Sequence, residues 1–123
     1  MFSRDESKVA TNQHVLLRED LLRLAHTDER VRIEGFLREH NEIADLVSDA
    51  LTRLPRYFPA SGYRLELMSD PDSEAPKDDL ICFIQTDQDL DTAEAAYDAF
   101  RDDWWLDNLL RAGGRLTLVI EYL

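Results

Sequence analysis

What most constrains this chain is a run of apolar residues at helical spacing in its first half, closed by a proline. Ile33, Phe36, Leu37, His40, Ile43, Ala44, Val47, Leu51 and Leu54 recur every three or four residues, which lines them along one face of an α-helix. Pro55 ends the run, because proline has no N–H for the helical ladder. At the other end Thr27 is a capping residue type, and Asp28 and Glu29 follow it where the helix dipole favours acids. One helix over this whole stretch would be roughly 40 Å long at about 1.5 Å per residue, and would overhang a domain of 123 residues. The sequence therefore predicts either a bend near Glu39-His40-Asn41-Glu42, with Asn41 as a second cap, or an overhang that packs on a second copy of the chain. His40 in the stripe reads as a core imidazole hydrogen-bonded to a carbonyl or carboxylate, or as a pH-sensitive contact if the stripe meets another chain.

Around this run the chain divides into recognisable pieces. Residues 1–12 read as a frayed tail. "NQHVLLREDLLRLAH" places Val15, Leu17, Leu21, Leu22 and Leu24 near helical spacing, giving a short helix over 13–26. After the loop "RYFPASG", the segment "YRLELMS" alternates Tyr63, Leu65 and Leu67 with Arg64, Glu66 and Met68, the pattern of a half-exposed strand. "DPDSEAPKDD" is a connector, and "LICFIQT" is apolar on both alternating faces, as in a strand covered from two sides. A helix then starts at Asp91 or Thr92, Gly113-Gly114 terminates it, and "RLTLVIEYL" closes as a strand. The expectation is one α+β domain over 1–123: a helical part at 13–54, then a β-β-α-β unit at 62–123, with helices packed on a three-stranded sheet. The last strand pairs either with the second strand or beside the first.

Charge narrows the partners. The net charge is -12, and residues 70–107 alone hold thirteen acids against Lys77 and Arg101. Such a balance repels phosphates, so neither nucleic acid nor an anionic membrane is expected as a ligand. No apolar run approaches the roughly 20 residues of a membrane span, and "MFSRDESKVATNQH" lacks the apolar core of a secretory signal. The single cysteine, Cys82, sits among apolar neighbours and reads as a buried thiol in a reducing compartment, hence a cytoplasmic protein. Catalytic and metal motifs are not found. There is no nucleophile elbow and no glycine-rich phosphate loop. Asp70-Pro71-Asp72-Ser73-Glu74 starts like a calcium loop, but Ala75 and Ile81 occupy its glycine and glutamate positions. No catalytic, cofactor-binding or metal-ligating residue is assigned.

The chain's two tryptophans are adjacent, in "RDDWWLDNLL". Ala93, Ala96, Tyr97, Phe100 and Trp104 share one helical face, but its continuation meets Asp107 and Arg111, so the stripe jumps between 100 and 105. Two readings stay open. In one, Asp102 or Asp103 caps a second helical piece from about 104 to 111 that buries Trp105, with Leu109 and Leu106, against a separate part of the core. In the other, one continuous helix leaves Trp105, Leu106 and Leu109 as an exposed apolar patch of the kind found at interfaces. The stretch "AYDAFRDDWWLDNLLRAGGRLTLVIEYL", with the preceding "YFPASGYRLELMSDPD", resembles a group of small bacterial proteins of uncharacterised activity. These share an acidic helix, a D-x-x-W-W-L-D-N-like run and a closing strand. The resemblance covers about residues 54–123. It implies that Asp102, Trp104, Trp105, Asp107 and Asn108 belong to one fold unit, and it supplies no catalytic residue.

The sequence thus points to a non-enzymatic interaction or regulatory module, antitoxin-like or immunity-like. Its acidic face would meet a basic protein through Asp98, Asp102, Asp103, Trp105 and Asp107, and its N-terminal helices would form a homodimer. The alternative is a small enzyme or ligand-binding domain with a pocket between helix and sheet, lined by Trp105, Tyr63 or Tyr122 and using a carboxylate with Arg64 or Arg115.

Overall fold

The computed structural model describes residues 18–69 and 78–123. The expected tail at 1–12, the start of the first helix and the calcium-like stretch at 70–74 lie outside them. Helix α1 (Arg18–Arg23) leads into a single 3-10 turn, Thr27–Glu29. That turn is capped by His26, not Thr27: the His26 imidazole accepts the Asp28 N–H at 3.4 Å.

The long apolar stripe becomes two helices, α2 (Arg30–Glu39) and α3 (Asn41–Arg53). They are joined at His40, whose backbone leaves the helical region (φ -126°, ψ 68°). His40 closes both ends: its N–H bonds to Phe36 O at 2.9 Å, and its carbonyl accepts Ile43 and Ala44 N–H at 2.9 and 3.1 Å. Orphan groups of both helices are thereby satisfied at one residue. Asn41, expected as the cap, is the first residue of α3. The bend also removes the overhang that argued for dimerisation through these helices. Each piece buries its share of the stripe, Ile33, Phe36 and Leu37 from α2 and Ile43, Ala44, Val47 and Leu51 from α3, joined by Leu46 and Ala50. Pro55 lies in a 3-10 turn, Leu54–Arg56, that ends α3 as expected.

Strands β1 (Gly62–Ser69), β2 (Asp78–Thr86) and β3 (Leu116–Tyr122) form a mixed sheet in the order β1-β2-β3. β1 runs antiparallel to β2, and β3 runs parallel to it. The last strand therefore pairs with the second, on the side away from the first. Cross-strand register stacks Leu67, Leu80 and Leu116 in one row and Leu65, Cys82 and Leu118 in the next. These side chains form one core with the helices, around the fully buried Phe58 and Phe100. Each such ring contributes on the order of 2–3 kcal/mol by burial. The architecture is α+β, with the helices gathered on one face of the sheet.

Along β2 the opposite face carries Ile81 and Phe83, flanked by Arg64 on β1 and by Thr117 and Val119 on β3. None of these residues joins the helix-packed core. Among the described residues, "LICFIQT" is thus covered by helices on one side only. On the other, the Arg64 guanidinium lies 4.1 Å over the Phe83 ring and is held by Glu66 at 2.6 Å and Glu121 at 3.1 Å.

Helix α4 (Leu90–Phe100) starts one residue before the expected Asp91. Beyond Phe100 the chain keeps right-handed helical torsions but widens into a π turn, Arg101–Trp105, in which Leu106 N–H bonds to Arg101 O. A 3-10 turn, Leu106–Asn108, and the short α5 (Leu109–Ala112) follow. Asp102 and Asp103 therefore do not cap a second helix. Gly113, at φ 56°, terminates α5 in the left-handed conformation glycine favours.

Candidate functional site

The π turn decides the fate of the tryptophans. Five residues along a regular α-helix amount to roughly 140° of rotation, which would keep Phe100 and Trp105 off a common face. Widening the turn to an i→i+5 bond brings them together, and both are buried, Trp105 to 5 % exposure. Trp105 is therefore a core residue and leaves the set of candidate partner contacts. Leu106, Leu109 and Leu110, expected in part to accompany it inward, are exposed. Trp104 is half-buried between Phe100 (5.6 Å), Trp105 (6.1 Å) and the Arg53 guanidinium (5.1 Å).

The acids of this segment face water. Asp87, Asp89, Asp91, Glu94, Asp98, Asp102, Asp103 and Asp107 are all exposed. Asp98 and Asp102 share one cation, Arg101, at 3.1 and 3.2 Å. Asp103 points elsewhere and accepts the Tyr57 hydroxyl at 2.8 Å. The four candidate carboxylates thus divide: Asp98 and Asp102 stand together, Asp103 turns toward Tyr57, and Asp107 lies on the following 3-10 turn.

Spacing puts Asp91, Glu94 and Asp98 on one stripe of α4. Alongside it runs a groove of about 490 Å³, with Glu94, Tyr97 and Asp98 from α4 on one side and Leu118, Ile120 and Tyr122 from β3 on the other. Alternation on β3 sends those three side chains to the same face as the core. Burial, first, pushes the Tyr97 hydroxyl above its usual range, with Arg101 opposing. For Tyr122, burial and then the Glu94 carboxylate act in the same direction. Both phenols are thus neutral near pH 7; Tyr122 brings a ring and a hydroxyl beside Glu94, whereas the Tyr97 hydroxyl is engaged by Trp105 and Tyr97 lines the groove with its ring. Such a lining suits an organic cation with an apolar stem: methylenes on Leu118 and Ile120, charge against Glu94 and the ring faces.

A pocket between helix and sheet was expected, and Tyr122 lines this one. Tyr63 and Trp105 do not. Arg64 lies on the opposite sheet face, and Arg115 borders a different hollow of about 450 Å³ with Arg32, His40 and Asp78. Glu94, Tyr97, Leu118 and Ile120 are not marked as a site by the sequence. The first two share helical spacing with Asp98, and the last two alternate with Tyr122, but only the folded chain brings the sets together.

The buried thiol is unreactive. Burial pushes the Cys82 thiol up to about 12, which keeps it protonated and non-nucleophilic at neutral pH. His40 is half-buried at the helix joint, its ring 4.6 Å from Phe36 and its Nδ1 3.7 Å from Glu42. Among the described residues no three His, Cys, Asp or Glu side chains converge as a metal site, and no helix is long and apolar enough to cross a membrane.

No family model matches this chain, and no curated protein matches it. One solved structure is similar over part of its length, a "putative redox protein" from Lactobacillus casei. The identity is 16 %, the TM-score 0.36, and the aligned part is 51 % of this chain and 45 % of that one, under half of its length. A likeness this slight bears on neither fold nor chemistry.

Proposed function

We propose that this chain is a non-enzymatic interaction module, antitoxin-like or immunity-like, that receives a basic protein on the outer face of α4. The observation that carries this reading is the exposed stripe Asp91, Glu94 and Asp98, continued by Asp102, with Arg101 as the one cation among the described residues of the acidic segment. A field of this kind steers cationic partners and falls off with salt. The same charge disfavours nucleic acid and anionic membranes. A free, buried Cys82 fits a reducing, cytoplasmic setting. Homodimerisation through the N-terminal helices keeps as support only Val31, 79 % exposed on α2. A second reading, a ligand-binding or small enzymatic domain, is favoured by the groove between α4 and β3.

The test is a titration of a lysine-rich peptide at low and high ionic strength. The first reading expects salt-sensitive binding that is lost in the double variant Glu94→Lys, Asp98→Lys and kept in Glu34→Lys on α2. Binding that ignores both salt and the α4 substitutions would count against it.

A further inference from the structure

The two edges of the sheet are finished differently. The outer edge of β1 is stitched to the helical half: Leu65 N–H bonds to Leu24 O at 3.0 Å, beside a bridge between Ala25 and Leu65, and Leu67 N–H reaches Glu29 Oε1 at 3.3 Å. Among the described residues, nothing bonds to the outer edge of β3. The direction of its backbone groups follows from two bonds, Leu80 N–H to Arg115 O (2.8 Å) and Leu123 N–H to Thr86 O (3.0 Å). Odd-numbered residues therefore turn their N–H and C=O toward β2. In a parallel ladder the alternate residues, Leu116, Leu118, Ile120 and Tyr122, turn theirs outward.

This free edge lacks the devices by which edges are usually blocked. β3 holds no proline, no lysine and no bulge across its seven residues. Its only charge, Glu121, is turned onto the opposite face and occupied by Arg64 and Gln85. The strand that leaves its backbone open is also the one whose Leu118, Ile120 and Tyr122 wall the groove under α4. An edge strand beside a helix, with a groove between them, is the arrangement by which an extended peptide adds to a sheet while alternate side chains fill pockets.

We propose, resting on the reading of an acidic interaction face, that the groove between α4 and β3 is a strand-addition site: an extended segment of a partner, bearing lysine or arginine at alternate positions, pairs with the outward backbone of Leu118 and Ile120 and lays its cations against Glu94 and Asp98. Charge selects this occupant over a second copy of the chain. Glu94 forms no ion pair among the described residues, Asp98 shares Arg101 with Asp102, and pairing two β3 edges would bring two Glu94–Asp98 stripes together in a protein of net charge -12.

The experiment uses the full chain and a fluorescent peptide of alternating lysine and valine, with a glutamate–valine peptide as control. Binding is followed by anisotropy, and amide hydrogen exchange is read residue by residue. The lysine peptide should bind, slow exchange at Leu118 and Ile120 by tenfold or more, and leave Val119, already directed at β2, unchanged. Glu94→Lys should weaken binding by roughly tenfold. Salt-sensitive binding without protection at Leu118 and Ile120 overturns strand addition and leaves the acidic-face reading standing, whereas no binding at any salt overturns both. Protection of these amides in the free chain that grows with protein concentration assigns the edge to a second copy and overturns the proposal, as does equal binding of the glutamate peptide.

Discussion

Phe100 and Trp105 are five residues apart and both face the core, because Leu106 N–H reaches back to Arg101 O. A regular helix would have had to choose between them. Trp105→Ala removes a buried indole and should cost about 3 kcal/mol, lowering Tm by roughly 10 °C in calorimetry. Trp104→Ala, at a half-buried ring, should cost less than half as much. An equal loss for both would mean that the π turn does not separate their environments.

Deleting Asp102 tests the widened turn directly. With one residue fewer, regular i→i+4 bonding leaves Phe100 and Trp105 four positions apart, roughly 40° around the helix, and so still on one face. The expected result is a smaller drop in Tm than that of Trp105→Ala, with an unshifted tryptophan emission. A red-shifted emission would refute this account.

Alkaline pH should destabilise the fold through two protons that the native state keeps. Burial holds Cys82 at about 12 against 9.0, and burial, then the Cys82 charge, holds Tyr63 at about 12 against 10.0. Above pH 9 the unfolded chain releases the thiol proton while the native chain retains it. Stability is therefore fully present below pH 9 and falls as pH rises toward 12, with a slope of at most about 1.4 kcal/mol per pH unit for each group. Denaturant midpoints between pH 8 and 11 measure this. Cys82→Ala should delay the decline to above pH 10, and the native thiol should resist aromatic disulfide reagents until denaturant is added.

Three backbone positions should respond to substitution with predictable signs. Gly35 lies inside α2 with open space where a Cβ would go, so Gly35→Ala should stabilise by about 0.5–1 kcal/mol. Gly113 also has space, but its φ of 56° penalises a side chain, so Gly113→Ala should destabilise by about 1 kcal/mol. Ala60 already stands at φ 63°, and Ala60→Gly should stabilise modestly. Urea titrations of the three variants check all the signs together.

Local chemistry was legible in the sequence. The stripe from Ile33 to Leu54 and its end at Pro55, the alternation of β1, and the glycine stop at Gly113 all reappear in the folded chain. What was not legible depended on distant residues. Histidine carries no strong capping signature, and an unbroken helix would also have kept Phe36 and Ile43, seven residues apart, on one face, so nothing in the stripe itself places the joint at His40. The stripe's jump between Phe100 and Trp105 marks a break in the helix, but a widened turn and a second capped helix satisfy it equally, and only the folded backbone tells them apart. Strand order, the stitch from Leu24 to Leu65, and the groove shared by Glu94 and Ile120 join positions tens of residues apart, and no local pattern encodes them.

The stitch along β1 has a consequence for dissection. A fragment beginning near residue 54 would carry every strand and both tryptophans. It would lose the Leu24 carbonyl and Glu29 carboxylate that quench the first strand's backbone, and with them the lid of α2 and α3 over Leu65 and Leu80. Such a truncate would expose sticky backbone on both flanks of the sheet and a bared hydrophobic floor. Its fate is clumping, so the halves of this molecule must be expressed as one piece.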